Sequence, residues 1–511
     1  MDSHHFRNPP KEYREVPFWS WNDDLDPVEL RRQVTIMDEA GWGGFFMHAR
    51  VGLKTRYLGQ RWMECIKACV NEARQRGMGA WLYDEDKWPS GFAGGLSVSK
   101  DPSYRMQYLV CKVDNRPALL PERIATFAAR EVNGVLQDIH ADPNPTIPTD
   151  EHRLIQFYPQ TLYLGIPWFN DYCYLSLINP KAVRAFLETT HDAYAGVVGS
   201  DFGTTIPGIF TDEPAYTWRG GGRGAMPTAY IPWTRDFPTY FQAKRGYDLL
   251  PKLPAIFFDT DDYHAVRYDY WRTLTELFVE SYMKQIYSWC EEHKIAATGH
   301  MMAEDTLLSQ IEWIGAAMPH YPYFHIPGID KLGRIINTGP GTILTVKQLD
   351  SAVCQLGKPR ALCENYGCSG QDFAHTGRKW IGDWAYVLGI TLNNPHLSLY
   401  TLRGERKRDY PQNIFYQQPW WPENNLIADY FARLSYVLSQ GQRVVDILVV
   451  HPIGSAWSVY RPGSTRAVDQ LDRPLNDLLT ALMQNQRDFH LGDELLMDKG
   501  GACEAKVVKD G

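Results

Sequence analysis

The feature that most constrains this 511-residue chain is a repeated alternation of short apolar segments, each of strand length, with amphipathic helices. That rhythm belongs to parallel α/β sheets, in which a helix returns the chain to the start of the next strand. Val16–Trp21 reads as the first strand. Asp26 suits a helix cap and Pro27 a first helical turn, Leu30, Val34 and Met37 follow at helical spacing, and Gly41 ends the segment. Gly43–His48 is the second strand, Gln60–Arg76 a helix stopped by Gly77, and Gly79–Asp84 the third strand.

Between about residues 104 and 175 the rhythm lapses. Alternating stretches such as Tyr108–Val113 and the Pro-rich Asp142–Pro148 predict a small β-rich insertion there. The alternation resumes with helix Lys181–Val198, strand Gly208–Glu213, helical region Tyr263–His293 and strand Ile295–His300. A sixth strand is expected near Ala316–Phe324, followed by helix Val346–Leu356 and strand Arg360–Glu364. Helix Trp380–Leu388, strand Thr391–Tyr400 and helix Ile427–Leu438 complete the series. Eight strand–helix steps predict an α/β fold of the (β/α)₈ TIM-barrel type over residues 1–443, insertion included; a doubly wound open sheet is the alternative. The apolar run Val444–Val450 and a helix over Leu471–Gln486 predict the start of a second α/β unit. Residues 444–511 are too few for a complete domain of that kind, so a fragment of a longer enzyme is expected.

Composition narrows the function classes. A net charge of −8 with dispersed Lys and Arg gives no basic stripe for nucleic acid. No apolar run approaches the ~20 residues of a membrane helix, and the start, Met1 to Arg7, lacks the apolar core of a signal peptide. Nine cysteines without paired spacing suit a reducing compartment, so a cytoplasmic location is expected. Aromatic residues make up 13% of the chain, with 17 Trp and 29 Tyr, many beside Gly, Pro, Asp and Asn. A large core absorbs many of these, and a sugar cleft would use others as flat faces.

In a barrel, functional side chains gather at the carboxyl ends of the strands. Those ends supply Trp19, Trp21 and Asn22; His48 and Arg50; Asp84, Glu85 and Asp86; Asp212 and Glu213; His300 and Glu304; Glu364 and Tyr366; and His396. Buried carboxylates are costly unless paired, so a barrel without a site has no use for this pattern. Glu213 in Phe-Thr-Asp-Glu-Pro and Glu364 in Leu-Cys-Glu-Asn-Tyr are the candidate catalytic pair. Glycosidic cleavage needs one carboxylic acid to protonate the departing oxygen and one carboxylate as base or nucleophile. Asp212 beside Glu213 would raise the pKa of one member by like-charge coupling. Trp19, Trp21, His48, Asp84, Asp86, Asp212, His300, Glu304, Tyr366 and His396 are the candidate sugar-binding residues, with Glu304 in reserve for catalysis. The loop Tyr83–Gly95 can shape the rim but lacks a phosphate cradle's GK[ST] ending, and Arg403–Tyr410 reads as a solvated charged loop. Single His residues at the strand ends do not make a metal site, so neither metal nor cofactor is expected.

These stretches resemble a group of large glycoside hydrolases related to family 106, the α-L-rhamnosidase family. The resemblance is carried by Phe18–Asp24, Gly43–Arg50, Trp81–Asp86 with Trp88–Phe92, Phe210–Pro214, Glu364–Gly367, and His396–Tyr400 through Pro419–Trp420–Trp421–Pro422. It implies a catalytic barrel followed by a flavodoxin-like domain, of which residues 444–511 would be the opening, and exo-acting removal of a terminal sugar by two glutamates. Family 106 inverts the anomeric centre, whereas acids on strands four and seven are the arrangement of the large retaining clan, so stereochemistry stays open. The family is associated with calcium, yet no D-x-D-x-D-G loop occurs here. The expected partner is a carbohydrate; a barrel that binds sugar without cutting it is the alternative.

Overall fold

The computed structural model describes residues 2–114, 122–142, 152–218, 229–336, 342–441 and 443–498. Its centre is a parallel barrel of eight strands: β1 Phe18–Trp21, β2 Gly44–Ala49, β3 Gly79–Tyr83, β4 Gly208–Asp212, β5 Ala296–His300, β6 Ile326–Lys331, β7 Leu362–Asn365 and β8 Leu392–Pro395. β8 continues past His396 and Leu397 into Ser398–Leu399, which pairs in parallel with Trp19 and Ser20 of β1 and closes the sheet on itself. The fold is the (β/α)₈ barrel that the strand–helix rhythm predicts.

Side chains alternate across this wall. Phe18, Phe46, Trp81, Tyr83, Phe210, Leu362 and Leu392 form one cluster in the barrel interior. Their neighbours Trp19, Trp21, Phe45, Met47, Leu82 and Ile209 belong to the larger core between strands and helices. The helices follow from local chemistry. Asp26 accepts from the Val28 N–H at 3.0 Å ahead of Pro27–Glu39, and Gly77, at φ +63°, caps Gln60–Arg76 in the left-handed conformation.

The expected sixth strand is displaced. Met318–Tyr323 forms a 3₁₀ helix, because Pro319 and Pro322 cannot donate to a ladder, and β6 follows it at Ile326–Lys331. The insertion between β3 and β4 is a five-stranded antiparallel sheet built from Gln107–Asp114, Ala125–Val132, Val135–Ala141, Arg153–Thr161 and a strand from beyond β4, Tyr230–Trp233. The Pro-rich stretch reaches the described residues only at Asp142; residues 143–148 lie outside them. After the barrel, Leu448–Val450 and His490–Gly492 pair in parallel around helices Ile453–Val459 and Arg466–Gln484. The apolar run at 444–450 supplies one of these parallel strands, with Leu448 and Val450 exposed. No described helix is long and apolar enough to cross a membrane, and the cysteines among the described residues are free thiols.

Candidate active site

The carboxyl ends of β2, β4, β6, β7 and β8 converge on one small pocket, lined by Arg50, Trp88, Asp212, Glu213, Asp330, Leu332, Glu364, His396 and Tyr410. Asp212, Asp330 and Glu364 share the inward parity of the apolar residues two positions before them, Phe210, Gly328 and Leu362. Glu213 does not, since it follows inward-facing Asp212 directly. Its backbone turns instead: φ is +49°, its N–H donates to the His300 carbonyl at 3.1 Å, and the half-buried carboxylate joins the pocket lining. Left-handed backbone is uncommon for a non-glycine residue and costs about 1–3 kcal/mol where it is held. Ala303, Tyr366, Cys368 and Tyr410, also beyond strand ends, share that conformation.

His300 organises the acids. Its Nε2 lies 2.6 Å from Glu364 Oε2 and 3.9 Å from Asp212 Oδ1, while Nδ1 is buried without a partner among the described residues. That arrangement fits a neutral imidazole donating Nε2–H to Glu364. Burial holds the His300 pKa down, to about 4, against the opposing pull of Asp212. The Tyr83 hydroxyl donates to Asp212 Oδ2 at 2.6 Å, and His396 Nε2 sits 3.7 Å from Glu364 Oε1. Arg50 is fixed by Asp409 at 2.6 Å and by the His48 ring at 3.2 Å, with Tyr410 5.3 Å from its guanidinium.

Burial pushes Glu213, Asp330 and Glu364 all well above the usual carboxylate range. Around Glu213 the carboxylates of Asp330, Asp212 and Glu364 add to that effect. Around Glu364, Asp212 adds to it and Arg50 opposes it. Glu213 accepts no hydrogen bond from a described side chain, whereas Glu364 has His300. The two glutamates therefore differ in kind: one is surrounded by negative charge and unsupported, the other is backed by donors.

The remaining sequence candidates divide. His48 is buried under the pocket, stacked 3.8 Å from Tyr83. Asp84 accepts from Ser90 Oγ at 2.5 Å, and burial raises its pKa to about 8. Asp86 pairs with Lys87 and Asn170 in the rim loop. Glu304 is held by Tyr321 at 2.8 Å, outside the pocket lining. Trp19 and Trp21 are corrections: both point outward, Trp19 donating to Gln33 at 2.9 Å and Trp21 packing 4.9 Å from Trp62, so they are core, not cleft. Tyr366 is another, because its fully buried hydroxyl accepts from Asn393 at 3.2 Å behind the wall. Asp330 was hidden by the misplaced sixth strand. Asp409 and Tyr410 end a segment that reads as solvated, and only the aromatic-beside-acid pattern could have singled them out; Trp88 belongs to the loop expected at the rim.

Asp212, His300 and Glu364 each bring one ligand-type atom within 4.8 Å of the others. Calcium takes six to eight oxygens, and this trio offers two carboxylates and an imidazole already engaged at 2.6 Å. The trio alone does not fit calcium, and no step is assigned to a metal.

No protein-family model matches the chain. A curated relative from Formosa agariphila, described as "Putative beta-glucuronidase", is 23% identical over 296 residues, which is 53% of this chain and 22% of that protein. Among solved structures, the rhamnosidase from Novosphingobium sp. PP1Y superposes with a TM-score of 0.65 at 14% identity, over 90% of this chain and 63% of that one. The catalytic mutant of Gan42B, a GH42 beta-galactosidase from G. stearothermophilus, gives 0.54 at 10% identity, over 94% of this chain and 66% of that one. This chain thus spans less than two thirds of the rhamnosidase and under a quarter of the curated relative. At such identities the structural likeness shows a shared architecture, the (β/α)₈ barrel.

Proposed function

We propose that this chain is a glycoside hydrolase that removes a terminal sugar, with Glu213 as general acid and Glu364 as base or nucleophile. The observation that carries the reading is the unequal environment of two glutamates lining one pocket. Glu213, ringed by three carboxylates, keeps its proton and can pass it to a departing glycosidic oxygen. Glu364, hydrogen-bonded by His300 and facing the field of Arg50, is the better anion, suited to activate water or attack the anomeric carbon. Asp212 and His396 are the nearest ligands for ring hydroxyls, and the Tyr410 hydroxyl, without a described partner, is a further one.

The pocket measures about 40 Å³, less than a hexose ring fills. Admission of a sugar ring therefore requires the pocket to widen. With Glu213 protonated, three acidic groups remain against one guanidinium, itself paired with Asp409, and this balance favours a neutral sugar over a uronic acid. Rhamnosides are accordingly the first substrates to test, as the family-106 resemblance and the rhamnosidase likeness also suggest. Residues 444–498 with their parallel strand pair belong, on the same reading, to a flavodoxin-like unit.

The experiment is hydrolysis of nitrophenyl glycosides, with α-L-rhamnoside, β-galactoside and β-glucuronide as leading members, followed by NMR of the first-formed anomer. Turnover of a neutral glycoside supports the reading. No turnover by any member, with sugar binding retained, would make the chain a binding barrel instead.

A further inference from the structure

Two indole rings stand side by side at the edge of the pocket, and the acid–base scheme uses neither. Trp88 lines the pocket together with Glu213, its ring centre 6.3 Å from that of Tyr410 and 5.4 Å from that of Trp168. Both tryptophans are half-buried. Trp168 comes from a separate segment, the 3₁₀ turn Pro167–Phe169 after the insertion.

The two segments are tied together at several points. Trp168 Nε1 donates to the Trp88 carbonyl at 2.8 Å. Asn170 Nδ2 donates to Asp86 Oδ2 at 2.9 Å and to the Gly94 carbonyl at 3.1 Å, and Lys87 Nζ donates to Asn170 Oδ1 at 2.8 Å. Beneath them, the buried Glu85 carboxylate accepts the backbone N–H groups of Asp86, Gly91, Ala93 and Gly94 at 2.7–3.0 Å. Glu85 is thus the clamp of the Tyr83–Gly95 loop. Rings held this firmly before a ligand arrives lose little freedom when it binds.

We propose that Trp88 and Trp168 form the subsite for the leaving-group ring, holding a second pyranose of the substrate. The inference rests on the glycosidase reading above. Glu213 must reach the oxygen between the cleaved sugar and its leaving group, and Trp88 lines the same pocket as Glu213 and packs against Trp168, which stands just beyond that lining. Indole faces suit the C–H faces of a pyranose. Asp86, Lys87 and Asn170 cluster beside Trp168 with polar groups that can meet hydroxyls, which favours a sugar over an aromatic aglycone.

Two measurements test this. The first compares a disaccharide with the glycosyl fluoride of the same terminal sugar, whose leaving group has no ring. Trp168→Ala lowers the disaccharide-to-fluoride ratio of kcat/KM about tenfold, and Trp168→Phe restores it. An unchanged ratio overturns the subsite, and a loss confined to aryl glycosides makes its occupant an aromatic ring. The second is calorimetric titration of Glu213→Gln with α-L-rhamnosyl-, β-galactosyl- and β-glucuronyl-glucose and with each terminal monosaccharide. One disaccharide binds about tenfold more tightly than its monosaccharide, and adding Trp168→Ala removes that advantage. Equal affinities, or no binding, overturn the subsite even where nitrophenyl glycosides are hydrolysed. Tight disaccharide binding without turnover keeps the subsite and refutes the hydrolase.

Discussion

The two mouths of the barrel set space against chemistry. At the amino-terminal mouth lies a cavity of about 740 Å³, bordered by Val16, Met78, Trp81, Pro207, Ile326 and Leu392. The basic groups at its rim are already engaged: Lys11 with Asp38, Arg74 with Asp201, and Arg360 with the Glu12 and Thr391 carbonyls and the Ser435 hydroxyl. Gly43, Gly77 and Gly79 border it. At Gly43 a Cβ would stand 2.0 Å from the Lys11 carbonyl oxygen, so close backbone packing keeps it glycine. The carboxyl-terminal mouth offers only about 40 Å³, yet Asp212, Glu213, Asp330, Glu364, His396 and Arg50 meet there. Only the larger cavity falls within the ~300–1,000 Å³ typical of ligand clefts. Size alone would choose the end opposite the proposed site; what separates the ends is left-handed backbone at Glu213 and a cluster of carboxyls driven off their ordinary pKa.

The sharpest break of that comparison is removal of the glutamates. Glu213→Gln and Glu364→Gln keep shape and lose the proton donor or the anion, and each lowers kcat/KM by about 10²–10⁴-fold. The acid variant recovers on a substrate with a good leaving group, such as a dinitrophenyl glycoside, and the Glu364 variant does not. Full activity in either would move the chemistry elsewhere.

Stability should answer to different residues. Just behind the amino-terminal cavity, Arg378 donates to Glu15 at 2.9 Å and to Asn424 at 2.7 Å, and Asn393 donates to the other Glu15 oxygen at 3.2 Å, all buried. Arg378→Met strands a buried carboxylate and costs about 3–5 kcal/mol in urea unfolding, with little loss of kcat in the protein that remains folded. Adding Glu15→Leu restores part of it. A loss under 1 kcal/mol would mean that water reaches the pair.

Much of this architecture was legible in the residues, and the misses have physical causes. Apolar runs closed by acids or histidines marked seven strands within a few residues, because parallel strands buried on both faces read as continuous hydrophobic segments. That same continuity hides parity. Phe18–Trp21 is aromatic at three of four positions, and nothing in it says that Phe18 and Ser20 face inward while Trp19 and Trp21 face the helices. The sixth strand, Ile-Pro-Gly-Ile-Asp-Lys, carries a Pro and a Gly that weaken the pattern, whereas Met318–Tyr323 imitates a strand by composition. Asp330 was lost with it. Glu213 was found by its strand-end position although alternation would turn it away, and only its backbone angle explains how it reaches the pocket.

Asp330 sharpens the contrast in a graded way. If its charge helps keep Glu213 protonated, Asp330→Asn lowers the Glu213 pKa, because a like charge is removed. Activity needs Glu213 in its acid form, so it is retained below that pKa and lost as pH rises through it. The alkaline limb of the kcat/KM profile therefore moves to lower pH, by about one unit, while the acid limb shifts less. An alkaline limb that stays in place shows Asp330 to be protonated, and neutral, throughout the working range.

The smallest effect belongs to the larger hollow. Ser439 borders the amino-terminal cavity, half-buried, with its hydroxyl donated to the Ser435 carbonyl at 2.7 Å. Ser439→Trp adds an indole where there is room for it, and gives up one hydrogen bond at a helix end. Such a change outside a packed contact stays within about 0.5 kcal/mol of stability, and kcat/KM on the best nitrophenyl glycoside should stay within about twofold. A tenfold fall, with the melting temperature unchanged, would mean that substrate or product uses the amino-terminal mouth, and that the narrow, acid-lined pocket has been given a role that belongs to the wide one.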